Sequence, residues 1–103
     1  MLFDSILLDK FIIEMVANRF TYDMVEHIKT QYPFDQISQF SIIKINLEHT
    51  KMIDSASIGF LFDLHNKLKN CDKESDLVIF LGGNKELKSL FHKFQVDLLL
   101  TVE

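Results

Sequence analysis

Apolar residues fall in short blocks whose period changes along the chain. Residues 2–8 (LFDSILL) and 11–17 (FIIEMVA) are apolar runs separated only by Asp9 and Lys10, a spacing that predicts two antiparallel strands in a hairpin. After Asn18-Arg19-Phe20 the period becomes helical: Met24, Val25, Ile28 and Tyr32 share one face, with Thr21 placed to cap the helix and Pro33 to end it. The stretch 40–47 (FSIIKINL) is β-branched and nearly continuous, as expected of a central strand covered on both faces. Beyond it, Ile58, Leu61, Phe62, His65 and Leu68 repeat at helical spacing, so a second helix begins near Ser55 to Ser57 and runs to the polar stretch NCDKESD. DLVIFLGG (76–83) reads as another buried strand. Asn84 then caps a third helix with Leu87, Leu90, Phe91 and Phe94 on one face, and LLLTV (98–102) closes the chain as a last strand.

The predicted order β-β-α-β-α-β-α-β is that of an α/β fold: a small mixed sheet with three main helices and 40–47 at its centre. Strand, helix, strand alternation requires right-handed crossovers and parallel pairing, which gathers the βα turns at the carboxyl ends of the strands. Function is therefore expected at Ala17-Asn18-Arg19-Phe20, at 49–55 (HTKMIDS) and at Gly82-Gly83-Asn84.

Composition narrows the choice. With 103 residues, 48% hydrophobic and 25% charged, the chain is expected to be one packed domain, residues 1–103. Eleven Lys plus Arg against 15 Asp plus Glu, net −4, leave no surplus to neutralise a phosphate backbone, so nucleic acid is not an expected direct partner. Cys71 is the sole cysteine, which excludes an internal disulfide, and His27, His49, His65 and His92 have no metal-ligand spacing. The first ten residues carry Asp4 and Asp9 without a basic start, and the apolar runs fall far short of ~18 residues, so a cytoplasmic protein with no membrane insertion is expected.

Most residues in the turns have a plain structural reading. Gly82-Gly83 lacks the spacing of a phosphate-binding loop and reads as a turn. Arg19 could clamp an anion or sit solvated in a loop. Ser55 has no nucleophile elbow around it, and its structural reading is an N-cap; Asp54 could equally be the cap or a first-turn acid favoured by the helix dipole. A hydrolase using Ser55 with His49 is the least supported alternative.

The run INLEHTKMIDSASIGFLFDLHNKLKN resembles the signature of STAS domains, in particular the stand-alone bacterial anti-sigma-factor antagonists, in which a buried strand leads through Asp-Ser-x-Gly-x-Gly into an amphipathic helix. RFTYDMVEHIKTQY upstream and LVIFLGGNKELKSLFHKFQVDLL downstream are similar to the family's first helix and its last strand and helix, so the resemblance spans about residues 10 to 100. It implies that Asp54 is the motif acid, Ser55 the phosphorylatable serine and Gly59 the second glycine. Ser57 stands where many members have the first glycine, which adds a side chain at the expected docking surface and makes Ser57 the second choice of acceptor.

The resemblance further implies a ligand and kinase substrate rather than an enzyme. Its partner would be an anti-sigma factor that is also a serine kinase, released when Ser55 is phosphorylated, and a serine phosphatase would reset it. The kinase would supply ATP, so no cofactor is expected here. The implied contact surface comprises Asp54, Ser55, Ser57 and Gly59 with Arg19, Phe20, Thr50, Lys51 and Met52. The alternative from the same fold is a STAS adaptor subunit of a lipid-transport ABC complex.

Overall fold

The computed structural model describes residues 2–7, 9–15 and 18–103, with the side chains of residues 2, 3, 5, 7, 98 and 99 left aside; the expected strand ends at Leu8, Val16 and Ala17 lie outside the described residues. Strands β1 (Leu2–Leu7) and β2 (Lys10–Met15) form the expected hairpin, Leu7 opposite Lys10 and Leu2 opposite Met15. β4 (Ile42–Asn46) pairs in parallel with β2 and with β6 (Asp76–Phe80), and β6 with β7 (Thr101–Val102), in the order β1-β2-β4-β6-β7. The predicted mixed sheet with 40–47 at its centre is thus present.

Its cover differs from expectation. Alternate residues Phe11, Ile13 and Met15, Ile43 and Ile45, and Leu77 and Ile79 are buried in a single core with Val25 and Ile28 of α1 (Tyr22–Gln31), Leu61, Leu64 and Leu68 of α3 (Ser55–Lys69), and Leu87 and Phe91 of α4 (Lys85–Lys93). The intervening residues Ile12, Ile42, Lys44, Val78 and Phe80 are only half-buried, with the Lys44 ammonium 4.4 Å from the centre of the Phe80 ring. A strand presents successive side chains to opposite faces, and here one face alone is fully covered.

Three local expectations are corrected. The stripe of α3 is centred on Ser57, Leu61, Leu64 and Leu68, which leaves Ile58, Phe62 and His65 half-buried at its margin. On α4, Phe94 stays exposed while Leu87 and Phe91 are buried. Only Thr101–Val102 of the expected strand 98–102 is extended: Gln95 takes a left-handed conformation (φ 59°) after α4, and the one-turn helix α5 (Val96–Leu99) follows, with Val96 and then Leu100 buried. Another single turn, α2 (Phe34–Ile37), follows Pro33 and buries Ile37. Among the described residues, no helix is long and apolar enough to cross a membrane.

Candidate functional site

Two segments that sequence periodicity leaves as loops, β3 (Arg19–Phe20) and β5 (Met52–Ile53), form a separate parallel pair, Arg19 opposite Met52 and Phe20 opposite Ile53. The Asn18 carbonyl extends it by accepting from the amides of Lys51 (2.7 Å) and Met52 (3.1 Å). Continued two residues further, this register sets Tyr22 beside Ser55, so α1 and α3 start side by side.

Asp54 joins the two starts. It is the N-cap of α3, in extended conformation, and its Oδ1 accepts from the Ser57 amide at 2.9 Å. Its Oδ2 accepts from the Tyr22 amide at 3.0 Å, at the first residue of α1. Thr21 occupies the N-cap position of α1 but makes no side-chain cap bond, so the cap expected of its hydroxyl comes instead from a carboxylate on another element. The bond from the Ser57 amide, with those from the Ser57 hydroxyl and the Tyr22 amide, holds the Asp54 carboxyl below the usual carboxylate range despite its desolvation. Asp54 is charged wherever the protein is folded near neutrality.

Ser57 completes a reciprocal capping box, its hydroxyl accepting from the Asp54 amide at 3.2 Å. The hydroxyl's single proton is shared between two acceptors, Asp54 Oδ1 at 2.8 Å and the Phe20 carbonyl at 2.7 Å, and the second of these ties β3 to α3. Ser57 is fully buried. The expected docking side chain at this position is therefore corrected: the serine faces inward and mends backbone ends that a glycine would leave to other partners.

The other candidate residues divide in the same way. Phe20 and Thr50 are fully buried and cannot themselves form a contact surface: Phe20 packs edge-on against Phe60 with ring centres 6.4 Å apart, and the Thr50 carbonyl accepts from Asn84 Nδ2 at 2.6 Å. Arg19, Lys51, Met52, Ser55 and Gly59 are exposed, and Asp54 is half-buried between them. Ser55 is the first residue of α3, one past the cap, so the N-cap reading belongs to Asp54. A Cβ built on Gly59 meets nothing within 4 Å.

Sequence reasoning missed two contributors. Tyr22, the first residue of α1, is 57% exposed and adds an aromatic to the 51% exposed Met52 that the sequence did indicate. Tyr22 gave no signal because it looks like an ordinary first-turn residue of α1. Asn84 does more than cap α4 through the Leu87 amide (3.2 Å): its Nδ2 reaches Leu47 and Thr50 carbonyls and fixes the β4–β5 loop on which the motif begins. The turn at Gly82-Gly83 is confirmed, with Gly82 at φ +55°, where a Cβ would lie 2.7 Å from Glu48 Oε2. His49 pairs with Glu48 at 3.5 Å, and among the described residues no hydrogen bond links it to Ser55.

No protein-family model and no curated protein matches this sequence. Solved structures do. The anti-sigma factor antagonist SpoIIAA in its unphosphorylated form matches with a TM-score of 0.72 and 11% identity, covering 100% of this chain and 87% of that one. The phosphorylated form of the Bacillus cell fate determinant SpoIIAA gives 0.69 and 11% identity over 100% and 91%, and the crystal structure of TM1081 from Thermotoga maritima gives 0.73 and 14% over 98% and 84%. With the mixed sheet and the paired helix starts already in place, the chain has the fold of SpoIIAA and TM1081.

Proposed function

We propose that this protein is an anti-sigma-factor antagonist: a non-enzymatic, single-domain cytoplasmic regulator that docks an anti-sigma factor with serine-kinase activity on the surface around Ser55. Phosphorylation of Ser55 switches docking off, and a serine phosphatase restores it. The observation that carries this reading is the division of labour at the motif. Asp54 and the buried Ser57 are committed to holding α3, while Ser55 is exposed at the helix start.

The physics suits a switch that leaves the fold intact. A phosphate at the first residue of a 15-residue helix lies at the positive end of the helix dipole, so the fold tolerates its charge of roughly −2. A partner covering Ser55 would have to desolvate that charge beside the ionised Asp54, which weakens docking rather than folding. The unphosphorylated surface offers Met52, Tyr22 and the bare backbone of Gly59, against which an apolar partner surface can pack closely.

The deciding experiment is affinity purification of the tagged chain from its native cells, with phosphosite mapping, comparing wild type with Ser55→Ala and Ser55→Asp. A co-purifying ATP-dependent serine kinase that labels Ser55, and whose capture is lost with Ser55→Asp, is expected. Capture of a transporter ATPase with no label on Ser55 would replace this reading with the adaptor one.

A further inference from the structure

We infer that this chain pairs with a second copy of itself through the outer edge of β1, forming a continuous sheet across a two-fold axis centred on Ser5. The sheet has two edges that differ in kind. β7 exposes only two residues, Thr101–Val102, the short edge that disfavours further pairing. β1 is six residues long and outermost, and it pairs with β2 at six consecutive positions with no bulge to twist it away. Its sequence, LFDSIL, contains no Pro and no Lys, and of the usual guards of an edge strand it carries one charge alone, Asp4, on the face of Phe11 and Ile13. On its outer side, alternate backbone N–H and C=O groups face away from β2. Ile6 is 62% exposed beside them.

The pattern selects the register. Across a two-fold axis perpendicular to the sheet, residues directly opposite must share a face, so the axis passes through a residue and its own copy. Centring on Phe3 or Ile6 leaves only three paired positions within Leu2–Leu7. Centring on Asp4 pairs five but sets the two Asp4 carboxylates opposite each other, which is repulsive. Centring on Ser5 also pairs five, residues 3 to 7, and sets Asp4 opposite the partner's Ile6. The two residues share a face because they pair with Ile13 and Phe11 of β2. A second copy is thus the occupant that this edge fits without meeting its own charge.

The test is sedimentation equilibrium of the full chain up to about 0.5 mM, with circular dichroism of each variant to check the fold. A concentration-dependent dimer is expected. Ile6→Asp places like charges opposite at two symmetry-related pairs and should weaken it roughly tenfold or more, whereas Ile6→Lys, opposite Asp4, should leave it as tight or tighter. Ile6→Asp combined with Asp4→Lys should restore it. A wild-type monomer throughout the range, or equal weakening by both single variants, would overturn the inference, and neither outcome bears on Ser55.

Discussion

Tyr22 and Asp54 are 32 residues apart, yet the Tyr22 amide donates to Asp54 Oδ2 at 3.0 Å while Asp54 Oδ1 caps the helix that Asp54 begins. One carboxylate therefore satisfies amides at two helix starts and sets the separation between Tyr22 and Ser55. The first amides of a helix have no partner within it, so losing either bond leaves a donor to water or to nothing. Asp54→Ala should lower stability by about 2 kcal/mol, one cap at each of two helices. Asp54→Asn should cost roughly half as much, since the amide's one carbonyl can cap α3 but its NH2 cannot accept from Tyr22. Urea denaturation of the three proteins measures both; an Asp54→Asn midpoint equal to that of the wild type would show that the α1 link contributes nothing.

The same carboxylate shapes the acid limb of stability. Asp54 is held below its ordinary value, chiefly by the Ser57 amide, and exposed Asp9 is held down chiefly by its bond from the Ser41 hydroxyl. A group whose folded pKa is depressed contributes stability that is fully present above its unfolded value, near about 4, and is lost as pH falls through the folded value. Asp54 stays ionised between about pH 8 and 5, so its contribution to the denaturation midpoint should be constant there and should be lost below about pH 4. In Asp54→Asn that fall should be shallower. An acid limb as steep as in wild type would assign the loss to other carboxylates.

The hairpin, the central strand and the helix starts were legible because the hydrophobic period changes cleanly between 2 and 3.6. Lys44 and Asn46 alternate with Ile43 and Ile45, and this alternation marks the half-covered face that the near-continuous reading of 40–47 overlooked. The β3–β5 pair was not legible: two residues carry no period, and the pairing rests on the Asn18 carbonyl and the Ser57 hydroxyl, which are tertiary bonds. At the site, the motif pointed to Asp54 and Ser55, but which way each hydroxyl faces depends on packing. Ser57, Thr50 and Phe20 belong to the candidate surface in sequence and to the interior in space.

Ser57 should prove structural. Its hydroxyl serves the Phe20 carbonyl and the Asp54 amide from a buried position, so Ser57→Ala strands both and should cost about 2 kcal/mol. Kinase-treated Ser57→Ala should still carry phosphate, mapped by peptide mass spectrometry to Ser55. Phosphate lost from a folded Ser57→Ala but kept by Ser55→Ala would move the acceptor to Ser57 and require the start of α3 to open during the reaction.

Gly59 separates folding from docking. It lies in the second turn of α3, exposed, where a Cβ meets nothing within 4 Å, and glycine inside a helix is costly because of the backbone freedom it loses on folding. Gly59→Ala should therefore raise stability by about 0.5–1 kcal/mol, and Gly59→Arg by a similar amount, since both residues are good helix formers. Docking should respond in the opposite sense. A methyl group at 59 displaces a closely packed partner slightly, whereas an arginine fills the approach and brings a charge that must be desolvated. Affinity for the kinase, read by calorimetry, should fall modestly with Gly59→Ala and by more than a hundredfold with Gly59→Arg, while both variants melt at or above the wild-type temperature. Wild-type affinity in a stable Gly59→Arg would place the partner on another face, because no side chain of that length at the second turn can be bypassed by a surface centred on Ser55.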